Sequence, residues 1–309
     1  MTRFRRLGMG LWPMAHSILK RAEEVIPMIK RSALPETTEA PPLTGTALGW
    51  ADLEPSLPHL LRRLEPIGLE QLAAAALLDR IETKFIFHQD RLPEILAGLT
   101  DEYRVLKIND SSLNHYQTLY FDTPGFALYL RHHAGGRNRY KVRSRAYLDT
   151  DLAFMEVKHK VSDDRTVKSR IRTAELVKHI SPGVTGFLNT HLPATDWMLE
   201  PKLWNQYTRV TLLGKNGPER VTLDLDLQYL TDDGRVMMLP GLVIGEVKQD
   251  GSGRNSAFIR QMHAMSIRPA SFSKYCIGVA MLYGQVKHNR FRPTLRQVDK
   301  ILREDNHVN

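Results

Sequence analysis

Five short stretches of this chain alternate charged and apolar residues with a period of two. They read Arg80-Ile-Glu82-Thr-Lys84, Arg139-Tyr-Lys141-Val-Arg143-Ser-Arg145, Glu156-Val-Lys158-His-Lys160, Arg220-Val-Thr222-Leu-Asp224-Leu-Asp226 and Glu246-Val-Lys248. Successive side chains of a β-strand point to opposite faces, so each stretch predicts a strand with one charged and one apolar face. A single strand of this kind is explained by an antiparallel sheet that turns its polar side to water. The set differs from that. Solvent faces favour Thr, Ser and Gln, whereas here Arg and Lys recur with carboxylates two positions away. Such a face suits a site that holds a highly anionic ligand and a metal.

The same alternation predicts strands over 80–88, 103–108, 114–122, 138–147, 152–161, 165–172, 204–214, 219–230 and 242–249. Gly135-Gly136, Ser162-Asp163-Asp164, Asn216-Gly217-Pro218 and Asp232-Asp233-Gly234 read as turns between them. Helices are predicted at 69–78, 91–99, 174–190, 255–265 and 273–284. Hairpin-length links argue for an α+β fold: an antiparallel sheet, closed or strongly curved into a barrel, with helices packed outside. The expected organisation is a basic N-terminal segment with a Pro-rich linker over 1–56, a core domain over 57–284 and a basic tail over 285–309.

Composition narrows the function classes. Hydrophobic residues at 42% and charged residues at 25% are ordinary for a globular protein, and the formal net charge is +9. That excess favours anionic partners: nucleic acid, anionic lipid or phosphate compounds. Cys276 is the single cysteine and lies in an apolar run, so it reads as buried filler. With no intramolecular disulfide available, a cytoplasmic setting is expected. No stretch approaches the roughly 18 apolar residues a membrane span needs. Walker loops, zinc-spaced Cys/His clusters and Gly-x-Ser-x-Gly elbows are absent from the sequence.

Taken in order, the stretches resemble the VTC domain of polyphosphate polymerases, within the CYTH-like triphosphate tunnel superfamily. The resemblance rests on Arg80-Ile-Glu-Thr-Lys-Phe85, Leu119-Tyr-Phe-Asp-Thr-Pro124, Tyr140-Lys-Val-Arg-Ser-Arg-Ala-Tyr147 and Phe154-Met-Glu-Val-Lys158. It continues through Arg165-Thr-Val-Lys-Ser-Arg170, Arg209, Arg220-Val-Thr-Leu-Asp224, Gly245-Glu-Val-Lys248 and Ser273-Lys-Tyr275, covering about residues 79–283. It implies a barrel whose interior is a charged tunnel, ATP as phosphate donor, inorganic polyphosphate as acceptor, and Mn2+ or Mg2+ as cofactor.

The resemblance also implies roles. Arg143 and Arg145 clamp phosphate oxygens, which the planar guanidinium matches bidentately. Lys158, Arg209 and Arg220 complete the catalytic set, and Lys84, Lys141, Lys168, Arg170, Lys248 and Lys274 line the path of the chain. Glu246 matches the metal-binding glutamate, a hard oxygen donor suited to either ion. Glu82 and Glu156 are further candidates, either orienting basic neighbours or binding metal through water. His115, His132, His133 and His159 are expected to be surface or structural, because a terminal phosphate acceptor is already ionised near neutral pH and needs no strong base.

One departure separates branches of the superfamily. Hydrolytic members begin with a Glu-x-Glu-x-Lys strand, whereas this chain has Arg80-Ile-Glu82-Thr-Lys84. The change removes a metal ligand, adds a phosphate binder and favours the polymerase branch. A stand-alone, soluble, bacterial form is expected, with any coupling to export needing a separate membrane partner. The alternatives are a triphosphate hydrolase of the same superfamily, or a non-catalytic module that binds polyphosphate or nucleic acid. Nucleic acid is the less favoured ligand, since exposed stacking aromatics interleaved with the basic residues are not evident.

Overall fold

The alternating stretches pair into one large sheet. In the computed structural model, residues 56–74, 81–162, 165–193, 197–249 and 256–304 are described. Arg80, the N-terminal basic segment and most of its linker lie outside these residues. The strands are β1 (Glu65–Ile67), β2 (Ile81–His88), β3 (Tyr103–Leu106), β4 (Asn114–Asp122), β5 (Arg139–Tyr147), β6 (Leu152–Lys160), β7 (Thr166–Thr173), β8 (Glu200–Gly214), β9 (Glu219–Leu230), β10 (Val236–Leu239) and β11 (Leu242–Gln249). The helices are α1 (Leu57–Leu61), α2 (Leu69–Ala74), α3 (Leu92–Ala97), α4 (Ala127–Ala134), α5 (Pro182–His191), α6 (Ala257–Ala264), α7 (Lys274–Leu282) and α8 (Arg292–Glu304).

The main path of the sheet runs β2-β11-β9-β8-β4-β5-β6-β7, and every pair along it is antiparallel. Register shifts at Tyr120/Phe121 and Gln206/Thr208 bend it, as does Asp226 with its left-handed φ of 52°. Of the two expected forms, closed or strongly curved, the sheet takes the curved one. Among the described residues no ladder joins β2 to β7, so the sheet is a deep trough with a seam. Beside that seam the edge of β2 is met by a separate segment, where Ala270 N–H donates to the Lys84 carbonyl.

The two faces of the trough are covered differently. On the convex side Phe85, Phe87, Val210, Leu212, Val221, Leu223 and Val247 pack under α1, α3 and α6. On the concave side α4, α7 and α8 fill one half, packing Tyr129, Tyr275, Ile277, Val298 and Ile301 against Ile86, Leu203, Tyr229 and Ile244. The other half of the concave side is left to the charged residues. Asp122, fully buried at the end of β4, fixes this arrangement. Its carboxylate accepts from the Leu128 and Tyr129 N–H groups that open α4, and from the Tyr275 hydroxyl of α7.

Several elements differ from the pattern-based reading. The predicted helix over 174–190 begins only at Pro182, whose ring disfavours helical geometry in the residue before it. Helix α4 was not predicted. Its eight residues are too few to show a helical period, and it is started from outside by Asp122 and by Phe126 in the left-handed region. The short strands β1, which contains Pro66, and β10 carry no usable alternation. The basic stretch after residue 285 forms α8, with Leu295, Val298, Ile301 and Leu302 on its inner side.

Candidate functional site

The concave half-face is built strand by strand. β2 and β11 supply Glu82, Lys84, Glu246 and Lys248, with Lys84 opposite Glu246 and Lys248 opposite Glu82. Lys84 Nζ lies 2.8 Å from Glu82 Oε1 and 2.9 Å from Glu246 Oε2. Lys248 ion-pairs with Glu246 and stands 3.8 Å from Glu82. On the same concave face, Lys158 of β6 reaches Glu82 at 3.6 Å.

The opposite wall is anchored on Glu156, which is 1% exposed. Arg143 Nε donates to it at 2.7 Å and Lys168 ion-pairs with it at 2.5 Å. Arg145 Nε donates to Thr118 Oγ1 at 3.1 Å. The floor is aromatic. Tyr116 and Tyr207 stack with centroids 5.1 Å apart, and the guanidiniums of Arg145 and Arg209 lie 5.0–5.8 Å from both rings. Such contacts hold a cation in place without neutralising it.

Asp224 of β9 grips Arg209 with both carboxylate oxygens and also pairs with Lys274, the first residue of α7. Ser273, the N-cap of that helix, accepts from Lys141 Nζ at 2.8 Å. Arg220 joins the face opposite Lys248, and Arg170 opposite Glu156. The structure thus brings all eleven predicted basic residues to one face, where they meet the carboxylates of Glu82, Glu156, Asp224 and Glu246. The formal excess is seven positive charges.

Packed cations without a matching anion shift one another's titration. Burial pushes the Lys168 and Lys274 amines down to about 8, against the opposing pull of Glu156 and Asp224. Burial also lowers Lys141, Lys158 and Lys248. For the carboxyls, burial acts upward but the cations win. Lys158 and Lys84 hold Glu82 well below the usual range, Arg143 and Arg145 do so for Glu156, and Arg209 and Lys274 for Asp224. The trough is therefore electrostatically incomplete until an anion fills it.

The donor set suits a hard divalent cation. Glu82 and Glu246 place oxygens within 3 Å of one shared ammonium, that of Lys84, so a cation already sits between them. Magnesium-type ions are commonly held by one or two carboxylates plus substrate phosphates and water. Glu156 is occupied by Arg143 and Lys168 and serves to orient them. Among the described residues no group of three or more His, Cys, Asp and Glu forms a self-contained metal cage.

The histidines lie apart from this chemistry: His115 pairs with Asp149, His132 with the Tyr140 carbonyl and His159 with Asn138. Sequence reasoning missed Asp224, Tyr116, Tyr120 and Tyr207 as site residues. Asp224 carried a usable signal, being four positions from Arg220 on the same strand face. The tyrosines carried none, because only the β4–β8 pairing brings Tyr116 and Tyr207 together.

A curved antiparallel sheet with one cation-rich half-face defines a class of polyanion-binding α+β proteins. More particularly, the VTC domain model matches residues 79–283, and the chain belongs to that family. Membership supports a polyphosphate-related function. No curated protein matches the chain. Among solved structures, a putative adenylyl cyclase from Hippeastrum, titled as having a dominant triphosphatase activity, aligns at 13% identity and a TM-score of 0.41. The alignment covers 68% of this chain and 98% of that one. A conserved hypothetical protein from Pyrococcus furiosus aligns at 9% identity and a TM-score of 0.35, over 62% and 98%.

Proposed function

We propose that this chain is a metal-dependent polyphosphate polymerase that moves the γ-phosphate of ATP onto inorganic polyphosphate and releases ADP. The observation that carries the reading is the concentration of eleven cations and four carboxylates on one concave face, lying along a trough that a linear polyanion can occupy. Phosphoryl transfer asks a protein mainly for in-line positioning and charge stabilisation.

In this reading a terminal oxygen of the acceptor chain attacks the γ-phosphorus. The bond from that phosphorus to the β,γ-bridging oxygen breaks, its electron pair leaves with ADP, and the acceptor is one phosphate longer. Arg143, Arg145 and Arg209 hold phosphate oxygens, while Lys141, Lys158 and Lys274 offset charge that develops as the bridge breaks. Glu156 and Asp224 keep those cations aimed. A divalent ion held by Glu246 and Glu82 would neutralise phosphate charge and polarise the transferred group. Among the described residues no helix is long and apolar enough to cross a membrane; the proposed setting is the cytoplasm, with any membrane contact made through a partner chain.

The alternative is hydrolysis, with water in place of the acceptor. Pure protein incubated with ATP and manganese, with ADP, free phosphate and polymer measured together, separates the two. ADP with polymer and little free phosphate is the expected result. Free phosphate without polymer assigns the hydrolase, and tight polyphosphate binding with no turnover assigns a binding module.

A further inference from the structure

The charged rows of β5 and β6 end in rings. Inward positions on β5 run Lys141, Arg143, Arg145 and then Tyr147, and on β6 they run Lys158, Glu156 and then Phe154. Register sets Phe154 opposite Arg145 and Tyr147 opposite Tyr116. The ring centroids of Tyr147 lie 5.9 Å from those of Phe154 and 5.0 Å from those of Tyr116. The Arg170 guanidinium lies 4.6 Å from the Phe154 centroid. Tyr147 and Phe154 are only half-buried and stand beside the 148–151 hairpin loop, at the rim of the trough.

A step of two residues along a strand is about 6.6 Å. Within one such step the lining changes from guanidinium to aromatic, which is the order in which a nucleotide changes from phosphate to base. A second observation lies at the same end. Asn114 is two positions beyond Tyr116 on the same face, 2% exposed, and neither its amide nitrogen nor its oxygen has a hydrogen-bond partner. Buried amides are nearly always paired, so an open donor and acceptor there point to a ligand with polar edges of its own.

We propose that the Phe154 ring, backed by Arg170 and walled by the nearly perpendicular Tyr147 ring, forms the platform for the nucleoside of a nucleoside triphosphate whose phosphates run along Arg145 and Arg143. The assignment rests on the functional reading above and gives it a direction. The α-phosphate lies toward Arg145, and the γ-phosphate lies toward Lys141 and Lys158, beside the carboxylates of Glu82 and Glu246. Because ring stacking tolerates any base, the platform selects for the presence of a base more than for its identity.

The test compares ATP with inorganic tripolyphosphate, by calorimetric titration without divalent metal, on wild type, Tyr147→Ala, Phe154→Ala and Tyr147→Phe. Each alanine variant should bind ATP about tenfold more weakly and tripolyphosphate as wild type does, while Tyr147→Phe keeps both affinities. Tripolyphosphate binding also reports that each variant is folded. An equal loss of both ligands would mean that the rings only support the arginines, and unchanged ATP binding would put the base elsewhere; either overturns the platform and leaves the polyanion site standing. A wild type that binds neither ligand overturns the functional reading, and the platform with it.

Discussion

Asp224 holds Arg209 by two parallel hydrogen bonds, Nε to Oδ1 at 2.5 Å and the guanidinium terminus to Oδ2 at 2.8 Å. The same carboxylate also pairs with Lys274 from α7. One buried negative charge thus serves two cations from two elements. Asp224→Asn leaves both cations uncompensated, and breaking a buried pair costs about 3 kcal/mol or more. Urea denaturation should show that loss, and saturating tripolyphosphate should restore more stability to the variant than to wild type.

Among the described residues Arg145 makes no hydrogen bond or ion pair to a carboxylate; Thr118 and two tyrosine rings hold it. Arg145→Ala is therefore expected to fold normally and to lose roughly a hundredfold or more in turnover. Far-ultraviolet circular dichroism together with the coupled ADP and polymer assay checks both halves. Near wild-type turnover would remove Arg145 from the phosphate clamp.

Glu246→Gln keeps the shape of the carboxylate but not its charge. Half-saturation for manganese should rise at least about tenfold, the order of loss that metal-site substitutions bring. A titration of activity against manganese measures it, and an unmoved midpoint counts against Glu246 as the ligand.

Burial disfavours the charged forms of Lys168 and Lys274 and pushes both amines down to about 8. A bound polyanion favours the charged form, so binding takes up protons and weakens as pH rises through about 8. Tripolyphosphate titrations at pH 7, 8 and 9, in buffers of different ionisation enthalpy, should show both effects. Lys168→Met should shrink the proton uptake. The depressed carboxyls act in the opposite range. Their stabilisation is full above the ordinary values of 4.5 for Glu156 and 3.8 for Asp224 and is lost as pH falls below them.

Gly278 lies in the middle of α7, where an added Cβ would come within 2.6 Å of Leu203 and of the Tyr229 ring. Gly278→Ala should cost about 2 kcal/mol through overpacking. It should also lower turnover by displacing Lys274 on the same helix. Normal activity at normal stability would mean that α7 shifts without moving its first turn.

The nine strands read from alternation are all present, because a half-face of Arg and Lys opposite a half-face of Val, Leu and Met leaves only one register that buries the apolar side. For the same reason the described basic residues singled out by that parity arrive on one face. What the sequence withheld is what depends on distant partners. The trough and its seam follow from bulges near Tyr120, Tyr207 and Asp226, which no local pattern announces. Helix α4 depends on Asp122 from the preceding strand, and α8 is amphipathic only once its basic outer side is separated from Val298 and Ile301. The tyrosine floor needed the β4–β8 pairing, and Asp224 was visible as a strand residue but not as the counter-ion of a helix.

The seam between β2 and β7 has a topological consequence. A filament enclosed by a complete ring can leave only by sliding out along its whole length, so release slows as the filament grows. A filament lying in a channel that is open along one side can be lifted out broadside. Among the described residues no β-ladder joins β2 to β7 at this seam; Ala270 bonds the edge of β2 there, and Lys158 of β6 reaches Glu82 by a side-chain contact. Opening a few such contacts is a far smaller event than dissolving a β-ladder. For a linear anion held here, escape is then set by how many cations grip it at one moment and not by how many units trail behind.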